Sequence, residues 1–133
     1  MNSTAKWTKN YQSVVNNGRQ HELIIDLPAI QGGSNAGPTA LELAIMGFSG
    51  CISTVYKILS DKMKLAVDDL EVEVDAIKGM ETISKIEVDV KIRSNENPAE
   101  LQNCLDRTLE NCPVSVLFER AGVDIHTSMK VVK

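Results

Sequence analysis

Between Leu43 and Tyr56 the chain has no charged residue at all, although the run lies inside a stretch patterned as a helix from Thr39 to about Met63. Leu43, Ala44, Ile45, Met46, Phe48, Cys51, Ile52 and Val55 occupy every face of that helix. A helix that is apolar all round must be buried all round. One twisted sheet covers only one side of a helix, so a small domain built this way asks for a second subunit. Gly47 and Gly50 cost the helix ~1 kcal/mol each relative to alanine. Either they let another backbone approach closely, or they serve packing within one chain. Thr39-Ala40-Leu41-Glu42 reads as a capping box, with the Glu42 carboxylate returning to the N-cap amide.

The chain around this helix has 133 residues and a mass of 14.6 kDa. That is the length of a single domain spanning 1–133, long enough to bury about two thirds of its unfolded surface. With 43% hydrophobic and 24% charged residues the composition is that of a soluble globular protein, which excludes disorder and fibrous repeats. The 14 Lys and Arg against 18 Asp and Glu give a net charge of -4, and no segment gathers the basic residues into a phosphate-binding face. Aromatic residues are 4% of the chain, too few for a base-stacking platform. Nucleic acid and anionic membrane are therefore excluded as expected partners, leaving small molecules and proteins. The N-terminus lacks the apolar run of a signal peptide, and no stretch is expected to reach the ~20 apolar residues of a membrane span, so the cytoplasm is the expected location. Three cysteines without a CxxC pair suit neither a secreted disulfide framework nor a zinc knuckle.

Residues 5–15 read as a first strand. The Asn16-Asn17-Gly18 turn returns the chain along a second strand over about 20–27, because Asn and Gly accept the positive φ of a tight hairpin. A polar loop with three glycines, Gly32, Gly33 and Gly37, leads into the long helix. Beyond it Leu70, Val72, Val74 and Ala76 alternate with acidic residues, and Ile86, Val88, Val90 and Ile92 alternate with charged ones, giving two antiparallel strands buried on one face. Asn97-Pro98-Ala99-Glu100 opens a helix that runs to about Asn111. Cys112-Pro113 interrupts it, a short helix continues to Ala121 before Gly122, and Asp124 to Val132 forms a last strand. Strands and helices this segregated predict an α+β fold of antiparallel sheets, with no parallel βαβ unit.

Cys51 sits at the middle of the apolar helix, where cysteine is a common core residue. Cys112 precedes a proline that holds it out of the helical region, so its thiol is expected at the N-cap of the next helix, where the dipole favours a thiolate. The two histidines, His21 and His126, stand in no nucleophile motif, and the spacing of Cys51, Cys112 and His126 is unspecific for zinc. They are read as structural, and no metal or cofactor is expected.

The run Gly37-Pro38-Thr39-Ala40-Leu41-Glu42-Leu43, then Gly50-Cys51, and later Asn111-Cys112-Pro113-Val114-Ser115, resembles the paired motifs of the OsmC/Ohr proteins. The order of elements over essentially the whole chain is similar too. The resemblance implies an intertwined homodimer around long central buried helices. It also implies a cofactor-free thiol peroxidase in which Cys51 attacks organic or hydrogen peroxides and Cys112 resolves the sulfenic acid as a disulfide. A thiolate in an apolar site needs a cation that stays charged there, and the family places an arginine near the first hairpin and a glutamate ahead of the helix cysteine. Arg19 and Glu42 take those places. At ~100° per residue Glu42 falls on the opposite face of a straight helix from Cys51, so it reaches that thiol through a bend or through the other subunit. The loop has no Asn-Pro-Glu, which aligns the chain with the broader OsmC-like group.

A helix over 104–111 would hold Cys104 and Cys112 ~12 Å apart, beyond the ~7 Å that a disulfide spans, which leaves Cys51 with Cys104 or with Cys112. The expected partners are a hydroperoxide and a dithiol reductant of the lipoyl or thioredoxin type, in oxidative-stress defence. The alternative is a non-catalytic protein that binds a hydrophobic or acyl ligand and whose cysteines are structural or redox-sensing.

Overall fold

A computed structural model describes residues 1–133 as two compact units, Met1–Ala44 and Ile45–Lys133. In the first, β1 (Thr4–Lys9), β2 (Gln12–Asn16) and β3 (Glu22–Ile25) form an antiparallel meander. Residues 5–15 are thus two strands rather than one. The extra turn lies at Asn10, which takes a φ of 47° while its carbonyl accepts the Trp7 indole N–H at 2.8 Å. Asparagine is one of the few side chains that tolerates that conformation. At the second turn Asn16 and Asn17 accept the backbone N–H groups of Gly18 and Arg19 at 3.1 and 2.9 Å, as Asx turns do.

The loop after β3 is organised around one buried carboxylate. Asp26 Oδ1 accepts the Leu27 N–H at 2.8 Å, and Oδ2 accepts those of Ser34 and Ala36 at 3.1 Å each. Two glycines make the winding possible: a Cβ at Gly33 would lie 2.0 Å from the Leu27 carbonyl oxygen, and one at Gly37 2.0 Å from that of Ile24. Burial works to raise the Asp26 pKa, but the three backbone N–H groups and the Gln12 side chain outweigh it and hold the carboxyl below its ordinary 3.8. A lowered carboxyl stabilises the fold above its unfolded pKa, and that contribution is lost as pH falls through the folded value. Amide exchange should therefore find Ser34 and Ala36 protected above pH 3.8 and opening only beneath it. Asp26→Asn, which puts an NH2 or leaves a single oxygen where two oxygens accept, should speed exchange at one side of the loop roughly tenfold or more. Unchanged exchange at all three amides would refute this account.

Helix α1 (Ala40–Lys62) begins in the first unit, and the capping box closes it as expected: the Thr39 N–H donates to Glu42 Oε2 and the Glu42 N–H to Thr39 Oγ1, both at 3.1 Å. In the second unit β4 (Asp69–Lys78) and β5 (Ile83–Arg93) are antiparallel, followed by α2 (Pro98–Asn111), α3 (Pro113–Arg120) and β6 (Asp124–Val132). The sheet order is β4-β5-β6, and β6 runs parallel to β5, pairing Ile86 with Ile125 and Val90 with Met129. This corrects the expectation of antiparallel sheets without a βαβ unit. The two helices between β5 and β6 form a crossover long enough to carry the chain back to the same end of the sheet.

The inner face of β5 is the floor of the core: Ile86, Val88, Val90 and Ile92 are fully buried in alternation with charged residues. Leu101, Cys104, Leu105 and Thr108 of α2 and Phe48, Ile52, Tyr56 and Ser60 of α1 complete it. The α1 residues are one stripe at four-residue spacing. The helix is therefore buried on one side in this chain rather than all round, because the single sheet beneath it has no more area to offer. Met46 and Ile58 stay 55% and 47% exposed, and a Cβ at Gly47 or Gly50 would meet nothing within 4 Å. Packing of the two glycines within the chain is thereby excluded. By length and composition alone α1 could cross a membrane, with a mean hydropathy of 1.4, contrary to the expectation that no stretch approaches a span. Its buried stripe is that of a core helix.

Candidate functional site: a dithiol at a helix junction

Cys112 belongs to two helices at once. Its N–H donates to the Thr108 carbonyl at 2.8 Å, closing α2, and its Sγ accepts the Ser115 N–H at 3.4 Å, capping α3. Pro113 at the first helical position explains the geometry, since it forces Cys112 to an extended ψ of 112° and needs no amide partner of its own. The N-cap placement read from the sequence is thus correct. Its expected consequence is not, because Cys112 is fully buried and its pKa is pushed up to about 11. Burial is the largest cause; a hydrogen bond to Cys51 and the charge on that sulfur add to it, against the opposing N–H groups of Ser115 and Val114. Two amides at the start of a short helix do not recover what the sulfur loses by leaving water.

Cys51 flanks the buried stripe of α1, one turn beyond Phe48, and is partly exposed. Its thiol lies close enough to that of Cys112 to raise the latter's pKa, and all three cysteines are free. The core therefore brings together two thiols that are distant in sequence, one reachable from outside and one not. Such a pair can close into a disulfide once an oxidant has taken two electrons from it. Cys104 is separate: it is fully buried in α2, its S–H donates to the Tyr56 carbonyl at 3.8 Å, and burial raises its pKa.

Arg19 is exposed on the turn between β2 and β3, and the Glu42 carboxylate is held by the capping box. Both belong to the first unit, whereas the two cysteines belong to the second. His21 bonds the Asn17 side chain at 3.1 Å and His126 pairs with Asp124 at 2.8 Å, in keeping with structural roles. Ser115 was not singled out in the sequence, although an N3 amide facing an N-cap cysteine follows from Cys-Pro-x-Ser. It also lines a cavity of about 370 Å³ between the ends of α2, α3 and β6, with Leu109, Glu119 and Ile125 on other walls.

An α+β chain with this two-thiol centre falls into a recognisable class. The family model for OsmC-like protein matches residues 32–128. The chain belongs to the OsmC-like family. Among solved structures it is similar to the OsmC-like protein of Mycoplasma pneumoniae, at a TM-score of 0.89 and 14% identity over 99% of this chain and 96% of that one. It is also similar to an organic hydroperoxide resistance protein OsmC of Legionella pneumophila, at 0.73 and 18% over 98% of each chain. A third likeness is an organic hydroperoxide resistance protein of Elizabethkingia anophelis with thiocyanate bound, at 0.70 and 18% over 98% and 94%. At these identities the likenesses establish the fold. No curated protein matches the chain.

Proposed function

We propose that the protein is a cysteine-based peroxidase that reduces organic or hydrogen peroxides in defence against oxidative stress. The observation that carries this reading is the free Cys51–Cys112 pair, partly exposed on one side and sealed on the other. Because Cys112 is fully buried and Cys51 is the member reachable from outside, Cys51 is the nucleophile. Its thiolate takes one oxygen of the peroxide bond, which leaves an alcohol or water and a Cys51 sulfenic acid. Cys112 then attacks that sulfur, expelling water as the disulfide closes, and a dithiol returns both sulfurs to thiols by exchange. No cofactor enters the cycle. Arg19 supplies the cation that favours the thiolate, and Glu42 orients it. The working form is a cytoplasmic homodimer, each chain a single OsmC-like domain over 1–133, in which a second α1 covers the face around Gly47 and Gly50. The family match and the likeness to organic hydroperoxide resistance proteins support the same chemistry.

Titration of the reduced protein with tert-butyl hydroperoxide and with hydrogen peroxide should consume two thiols per peroxide, leaving Cys104 as the one thiol counted after denaturation. Dihydrolipoamide or thioredoxin should then restore both. An absence of thiol loss at micromolar peroxide would instead favour a protein that binds a hydrophobic ligand.

A further inference from the structure

We infer that the reductant opens the Cys51–Cys112 disulfide at the Cys51 sulfur, with Cys112 as the sulfur that departs. The inference rests on the peroxidase reading and adds the direction of its reductive half. Thiol–disulfide exchange is a displacement in which the attacking sulfur approaches along the S–S axis and the far sulfur leaves with the negative charge. The two ends of this disulfide differ in whether the line of attack is open. Cys112 is fully buried at the junction of α2 and α3, so a line of attack on its sulfur would have to pass through the helix ends. Cys51 is partly exposed along the edge of the α1 stripe. The Ser115 N–H lies 3.4 Å from Cys112 Sγ and is a donor to the departing sulfur.

Burial, the largest cause of the raised Cys112 pKa, works against its departure as a thiolate, so it is access and not ease of departure that directs attack to Cys51. The electrons balance in two steps. The first reductant thiolate bonds to Cys51 and frees Cys112, which takes a proton. The second thiol of the same reductant then attacks its partner sulfur, releasing Cys51 and leaving the reductant as a disulfide. Two electrons pass from the dithiol to the protein.

The test forms the disulfide in the wild-type protein with diamide, so that peroxide reactivity is not required. Cysteamine is then added for a short time, the mixture is quenched in acid, remaining thiols are capped with N-ethylmaleimide, and peptides are read by mass spectrometry. The expected product carries cysteamine on Cys51 and maleimide on Cys112, in at least roughly tenfold excess over the reverse. Cysteamine is small enough to find either sulfur, so equal labelling, or an excess on Cys112, would overturn the inference. So would failure of diamide to join Cys51 to Cys112. A protein that behaves as expected here but ignores peroxide would lose the peroxidase reading and keep the direction of exchange.

Discussion

Cys112→Ser is expected to convert many turnovers of peroxide into about one, after which activity is lost. Cys51 still reacts, but no thiol stands beside its sulfenic acid, which climbs to sulfinic acid under further peroxide. The variant isolates the chemistry because serine is among the best N-cap residues. Its hydroxyl can take the Ser115 N–H that Cys112 Sγ accepts at 3.4 Å, so α3 should keep its first turn. Thermal unfolding of the reduced variant is the control, with stability expected within about 1 kcal/mol of the parent. Cys104→Ser should behave oppositely and retain the peroxide-induced disulfide, since Cys104 is bonded to the Tyr56 carbonyl and stands apart from the pair. Peptide mass spectrometry settles the matter: a 51–104 linkage in the oxidised protein, or sustained turnover by Cys112→Ser, would overturn the roles proposed for the two thiols.

What could be read from the sequence was local, and what could not was long-range. The capping box at Thr39 and Glu42, the Asn97-Pro98 start of α2 and the Cys112-Pro113 break each depend on a few adjacent residues, and each stands where expected. The alternation in β5 likewise marks its buried face correctly, whereas in β4 Leu70, Val72 and Val74 are half-buried and Ala76 is exposed. Alternation carries no direction, however. The same pattern in Asp124–Val132 serves a parallel or an antiparallel neighbour, and only the crossover through α2 and α3 decides for parallel. The turn at Asn10 escaped because it lacks the glycine that marks Asn16-Asn17-Gly18. For the site, the motifs singled out Cys51 and Cys112 as candidates, and the proline placed Cys112 at an N-cap. Its ionisation was misjudged, since the N-cap is a property of neighbours in sequence and burial is a property of the whole core.

The two sides of α1 should respond to substitution very differently. Phe48 is fully buried, and its ring lies 5.3 Å from that of Phe118 on α3, so it ties the helix to the element that Cys112 caps. Phe48→Ala is expected to cost about 3–5 kcal/mol, the range for removing a buried aromatic side chain and leaving a cavity. Against a typical total of about 5–15 kcal/mol this is enough to unfold a marginal domain, and urea denaturation would measure it. Met46, only two residues earlier, is 55% exposed on the side where Gly47 has open space. In a lone chain Met46→Lys should change stability by no more than about 0.5 kcal/mol. In the proposed homodimer it would place an unpaired ammonium against the apolar face of a second α1, where a buried charge without a partner is strongly destabilising. Light scattering at low micromolar concentration should then show a dimer for the parent and a folded monomer for Met46→Lys. A parent that is already monomeric there would remove the second subunit from the proposal, and the open face of α1 would need another partner.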